Sequence, residues 1–294
     1  MPMTNPNDQW NPPDLSDRVA VVAGATRGVG RGIAEVLGAC GAFVYITGRS
    51  TRADQDTNPE RTVEAVAETV VADGGRAQGV VCDHRNDEDV ERLFAQVRDE
   101  QGGLDILVNN QIGWGDTTSD DAFKRRRLWQ RSLSWWDDNF DAGVRGHVAN
   151  CHFGIPLMLD RERAIVLFTS ERVVSDPTEV WDAVYDLRAT VAARMVTLLA
   201  EQLRHRSIPV ILLYPGWTRT EEQIDPARAG TYPMTKTIDE LFEKTASPHY
   251  AGRAAAAVAD ASDAMELSGS LQSSHQLATR YGFTDMDGRR PNPT

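Results

Sequence analysis

The turn Gly24-Ala25-Thr26-Arg27-Gly28-Val29-Gly30 constrains this chain more than any other segment. It follows Val19-Ala20-Val21-Val22-Ala23, a short unbroken apolar run that reads as a strand buried on both faces. A helical pattern over Gly32–Gly41 comes next and stops at glycine. Glycines let the backbone turn tightly and approach a ligand closely. The helix start behind such a turn offers unpaired N–H groups and the positive end of a dipole, which suit a pyrophosphate. A glycine-rich turn alone is weak support. Placed between strand and helix at the start of a β-α-β unit, it reads as a dinucleotide loop. Gly24, Thr26, Arg27, Gly28, Val29 and Gly30 are its candidate cofactor contacts.

Extended and helical patterns then alternate, the mark of a parallel sheet with crossover helices. Strands are expected at Phe43–Thr47, Ala77–Val81, Leu104–Val108, Ala164–Phe168, Pro209–Leu213 and Gly269–Ser273. Helices are expected at Glu60–Asp73, Asp87–Gln101, Trp136–Leu157, Ala183–Arg206 and Ala251–Asp260. Residues 1–14 read as a polar, irregular arm, and 15–294 as a single domain with a candidate lid insert at 221–249.

Composition narrows the function. A net charge of −12 argues against a nucleic-acid partner. Lys124-Arg125-Arg126-Arg127 reads as a solvated loop. No apolar run reaches membrane-spanning length, and no leader pattern opens the chain. Cys40, Cys82 and Cys151 lie far apart in no metal spacing, which suggests buried thiols in a reducing, cytoplasmic compartment.

Dinucleotide sites that bind a free ribose 2′-hydroxyl place an acid after the second strand. Here Thr47-Gly48-Arg49-Ser50 puts Arg49 there, with Arg27 nearby. An arginine fork suits a 2′-phosphate, so NADP(H) is favoured over NAD(H). Two surface arginines are the alternative.

Further motifs stand in order along the chain: Asp83-His84 after the third expected strand, Asn109-Asn110 after the fourth, Thr169-Ser170 after the fifth, Tyr185 on the helix beyond, and Pro215-Gly216-Trp217-Thr218-Arg219-Thr220 after the sixth. With the glycine loop they resemble the short-chain dehydrogenase/reductase family over about Asp17–Pro291. Gly143-Val144-Arg145-Gly146-His147 and Tyr281-Gly282-Phe283-Thr284-Asp285 resemble one branch of reductases within it. The resemblance implies a Rossmann-type α/β fold: a doubly wound, mostly parallel seven-stranded sheet with helices on both faces. It implies a homodimer or homotetramer. Asp83, with His84 beside it, would meet the adenine, Asn109 would belong to the cofactor site, and Pro215, Gly216, Thr218 and Thr220 would hold the nicotinamide end.

In that family a tyrosine gives a proton to a carbonyl oxygen, a serine orients the oxygen, and a lysine four residues after the tyrosine lowers its pKa and holds the ribose. An asparagine on the preceding long helix extends the relay. Ser170 and Tyr185 match the first two roles, and Tyr185 also belongs among the cofactor contacts. In Tyr185-Asp186-Leu187-Arg188-Ala189 the lysine position holds Ala189, and the asparagine position holds Gly143. A phenol near its reference pKa of about 10 needs a nearby cation to work at neutral pH. Arg188 is the candidate helper, a solvent or interface arginine the alternative. Trp114, Trp181 and Trp217 are candidate pocket walls or packing residues, and Glu171 a candidate proton-handling carboxylate or ion-pair member. Trp135 and Trp136 read as packing residues. The reading is an NADP(H)-dependent reductase of a carbonyl, imine or enone on an apolar or aromatic small molecule, with an altered proton relay. A dinucleotide-binding protein with little turnover, or non-redox chemistry in the same pocket, is the alternative.

Overall fold

A computed structural model describes residues 8–55, 57–113, 127–170, 180, 182–221, 224 and 242–291. Trp114, Glu171, Trp181 and most of the expected lid lie outside the described residues.

The apolar runs become strands: β1 (Val19–Ala23), β2 (Phe43–Gly48), β3 (Arg76–Val81), β4 (Ile106–Asn109), β5 (Ile165–Thr169), β6 (Val210–Tyr214) and β7 (Leu271–Ser273). They form one seven-stranded sheet in the order β3-β2-β1-β4-β5-β6-β7. Every pairing is parallel, where the sequence implied only mostly parallel. Each strand is reached by a crossover, so each enters from the same end.

The helices are α1 (Gly28–Ala39), α2 (Val63–Ala72), α3 (Asp87–Gln101), α4 (Leu133–Asp137), α5 (Gly146–Gly154), α6 (Ala183–Leu203), α7 (Pro248–Asp260) and α8 (Ser274–Tyr281). No helix among the described residues is long and apolar enough to cross a membrane. The expected long helix at 136–157 is instead α4, a π-helical stretch over Asp138–Arg145, and α5. Periodicity alone cannot separate these, because a π turn keeps the apolar residues near one face while adding a residue.

Side chains alternate across β1. Ala20 and Val22 pack with Ile33, Leu37 and Tyr250 in one core, and Val19 and Val21 with Leu93, Phe94 and Val196 in the other. The first core is tight where α1 meets α7. A Cβ on Gly252 would lie 2.4 Å from Gly32 O, and one on Gly32 would lie 2.4 Å from the Pro248 carbonyl carbon.

Two histidines are sealed between the sheet and α5. His84 places its ring nitrogens 2.8 Å from Thr47 Oγ1 and 2.8 Å from Asn150 Oδ1. His147 places Nε2 3.2 Å from Gln111 O and meets Phe168 edge-on. Burial pushes the His84 pKa down to about 4. Burial first, and the Arg188 charge second, push His147 down to about 3.

Two outcomes follow for stability. Gly252→Ala forces backbone apart in the α1–α7 contact, with an expected loss of about 1–3 kcal/mol, read from urea unfolding. Both histidines fold as neutral rings, whereas the unfolded chain protonates them near pH 6.5. Each depressed pKa thus withdraws stability as pH falls from about 6.5 towards its folded value, at up to about 1.4 kcal/mol per pH unit per ring. Unfolding midpoints measured between pH 7 and 4.5 should fall in wild type, and fall less steeply in His84→Asn.

Candidate active site

Strand order reverses between β1 and β4, so a crevice opens beyond their C-terminal ends. The glycine turn lines one side. Gly24 and Ala25 donate their N–H groups to Thr47 O, pinning the turn to β2. Gly24 has φ +73°, and a Cβ there would come within 2.7 Å of Gln111 Cα. A Cβ on Gly30 would lie 2.3 Å from Gly24 O, so only glycine lets α1 start this close to β1. Thr26 is half-buried against Gly48, Val29 is half-buried, and Arg27 is exposed.

Arg27 caps α1 without a side-chain hydrogen bond to the helix. The Gly28 N–H instead donates to Glu221 Oε2 at 2.8 Å. A carboxylate from the far side of the crevice therefore stands on the first-turn N–H where a phosphate oxygen would bind. This stand-in anion and the space kept free of Cβ atoms fit a dinucleotide.

Arg49 is exposed at the end of β2, and its charge reaches Asp83. Burial would raise the Asp83 pKa. Hydrogen bonds from the Arg85 side chain and N–H, with the Arg49 charge, hold it below the usual carboxylate value. Arg49 and Asp83 thus stand together beyond the ends of β2 and β3.

Two expected contacts have buried side chains. The His84 ring is buried, bridging Thr47 and Asn150. The Asn109 side chain is fully buried; its Oδ1 accepts from Asn150 Nδ2 and its Nδ2 donates to Cys151 Sγ. Both tie strand ends to α5. Asn110, which has no separate role in the expected site, does face the crevice. Its Nδ2 donates to Gly24 O at 2.8 Å, and its Oδ1 accepts from Thr169 Oγ1 at 2.9 Å. One amide therefore joins the glycine turn after β1 to the end of β5.

Ser170 follows Thr169 and is buried, its N–H bonded to Leu213 O. Tyr185 is half-buried in the first turn of α6. Asp182 caps that helix, accepting from the N–H groups of Val184 and Tyr185. The same carboxylate accepts from Trp135 Nε1 and pairs with Arg131 Nε, and both its own side chain and Arg131 are buried. Asp182 is a positioning group that the expected site did not include; the signal was an aspartate at an α6 start, three residues before Tyr185.

Ala189, where the resemblance implies a lysine, is fully buried. Arg188, expected at the surface or near a ribose, is 1 % exposed. Its guanidinium carbon lies 4.6 Å from the centre of the Tyr185 ring. A Cβ on Gly143 would come within 2.7 Å of Arg188 Cδ.

Beyond β6, Gly216 turns with φ +78°, and Thr218 Oγ1 donates to Gly216 O. Pro215 and Trp217 are half-buried, and Thr220 brings its methyl group over Gly28. Arg219 fixes this loop, donating to Thr245 O and reaching Asp285 and Asp287. The free thiols are buried, and burial pushes each up to about 12, so none is poised as a nucleophile.

Comparison with known proteins agrees with this geometry. Residues 24–266 match the family model described as enoyl-(acyl carrier protein) reductase. The chain is similar to dehydrogenase/reductase SDR family member 1 of Mus musculus, 33% identical over 282 residues, 94% of this chain and 85% of that protein. The fold is similar to a short-chain dehydrogenase from Burkholderia cenocepacia J2315 crystallised with NADP, at TM-score 0.69 and 22% identity over 88% of this chain and 96% of the other. A metagenomic short-chain oxidoreductase in complex with NADP aligns at TM-score 0.64 and 25% identity, over 85% and 93%. The glycine turn, the order of the strand-end motifs and the match over most of the length agree: the chain belongs to the short-chain dehydrogenase/reductase family of oxidoreductases.

Proposed function

We propose that this protein is an NADP(H)-dependent reductase of a carbonyl, imine or enone on an apolar or aromatic small molecule. One observation carries the reading. The anion-accepting turn after β1 and the Ser170–Tyr185 pair beyond β5 open on one rim, and Asn110 spans them from Gly24 O to Thr169 Oγ1. Arg49 beside Asp83 supports the phosphorylated dinucleotide, since a guanidinium meets a phosphate with two charged hydrogen bonds. Trp217, half-buried beside Gly216, supports a flat or apolar substrate.

The dinucleotide, when bound, supplies the hydride. Gly28 N–H and its neighbours in the first turn of α1 would hold the pyrophosphate, and Gly216, Thr218 and Thr220 would hold the far end. The Ser170 hydroxyl orients the substrate oxygen. As negative charge develops on that oxygen, Tyr185 gives it the phenolic proton. The tyrosinate is then reprotonated from solvent, along a route that neither Ala189 nor Gly143 can serve.

The missing lysine also supports a second reading, a dinucleotide-binding protein that turns over little. The two separate in one experiment: NADPH binding by fluorescence, then oxidation against a panel of ketones, imines and enones. The reductase reading expects NADPH to bind more tightly than NADH and to be consumed with at least one class. Tyr185→Phe should lower kcat by about 10²-fold or more while NADPH still binds. Tight binding with no consumption across the panel selects the second reading, and failure to bind either dinucleotide removes both.

Glu221 generates its own test. Its carboxylate must leave Gly28 N–H before a pyrophosphate can take that place. Glu221→Gln keeps the size and removes the competing charge, and should tighten NADPH binding about two- to fivefold, by analogy with one charge at a helix end. Titration of wild type and variant side by side reads it; weaker binding in the variant would mean that Glu221 helps to hold the cofactor.

A further inference from the structure

The largest fully buried side chain among the described residues is a charged one, Arg188. A buried guanidinium is costly unless its surroundings are built for it. Three features build a seat. Gly143, in the π-helical stretch, leaves out the side chain that would strike Arg188 Cδ. His147 on α5 is close enough to feel the Arg188 charge and is held neutral, so it adds no second cation. The Tyr185 ring lies one helical turn back, with the guanidinium carbon 4.6 Å from its centre. The positions holding Gly143 and Arg188 are physically coupled: the first is empty so that the second can be filled.

We infer that Arg188, seated by Gly143 and His147, is a positioning residue for the Tyr185 phenol, stabilising its ionised form through the ring face. A cation over an aromatic face is drawn to the ring's electron density, and a tyrosinate ring carries more of it than a phenol. Burial of the guanidinium limits the screening of its charge by water. Among the described residues, the other charges around this turn do not duplicate the effect. Asp182 on α6 is paired with Arg131, Asp186 carries the opposite sign, and Asp138 and Asp141 of the π-helical stretch lie by Arg85. The inference rests on Tyr185 being the proton donor, but its test needs neither cofactor nor substrate.

The measurement is the alkaline titration of tyrosinate absorbance, taken as the difference between each protein and the same protein carrying Tyr185→Phe. That difference isolates Tyr185. Arg188→Met, apolar and of similar length, should raise the Tyr185 midpoint by about one pH unit or more. Arg188→Lys should fall between wild type and Arg188→Met, because a lysine keeps the charge without the planar fork. Gly143→Ala keeps the charge but displaces it, and should move the midpoint the same way by a smaller amount; it decides the matter if Arg188→Met does not fold. A midpoint within about 0.3 unit of wild type in a folded Arg188→Met, or failing that in a folded Gly143→Ala, would overturn the inference. Absence of NADPH consumption across the substrate panel would instead remove the reductase reading and leave this titration standing.

Discussion

Every strand of the sheet runs the same way, and most of what the site contains follows from that. In an all-parallel sheet the C-terminal ends share one rim, and the strand order turns back between β1 and β4. The turn after β1 and the residues after β5 are therefore brought together from positions about 145 apart in sequence. They still need a strut, because a turn and a strand end separated by β4 do not touch on their own. Asn110 provides it from the end of β4 itself, donating to one neighbour and accepting from the other. Its two functions need both ends of an amide, and neither aspartate nor leucine could supply them.

What could be read in the sequence divides along the same line. The glycine turn, the apolar strands and the order of strand-end motifs are local patterns, and they stand where expected. Which member of a strand-end pair faces the crevice is not local. Successive side chains point to opposite faces, so a one-residue difference decides between ligand and core. Asn109 and Asn110 differ by that one step: the first is buried against α5, and the second reaches the glycine turn. His84 was placed near the adenine by its neighbour Asp83, yet its ring turns inward to Thr47 and Asn150. The π-helical stretch was hidden for a related reason. It preserves the apolar face that periodicity detects, while changing which residue meets α6.

The segment Tyr281–Asp285 shows another partial reading. Its residues were recognisable as a motif, but their task depends on long-range contacts. Asp285 is fully buried and accepts from the Ser247 N–H, the Ser247 hydroxyl and the Met286 N–H, while Arg219 reaches it from the loop after β6. The start of α7 and the Pro215–Thr220 loop are thus held through one carboxylate. Arg219 spreads its guanidinium over Phe242 as well, so the same anchor reaches a residue within the expected lid.

The lysine of the resembled family's site does two jobs with one charge: it holds the ribose and it lowers the pKa of the phenol. A buried arginine under the phenol ring cannot do the first, since at 1 % exposure it is committed to its seat. On the function proposed above, the two jobs are divided, with cofactor binding left to the rim residues and phenol activation to α6 and its neighbours. Such a division loosens a constraint. Where one lysine serves both ends, a change in cofactor affinity disturbs the proton donor. Here the charge beside Tyr185 is seated by packing against Gly143, away from the rim. The Glu221 carboxylate adds a charge partner on the other side of the crevice, accepting from the Gly28 N–H at the positive end of the α1 dipole.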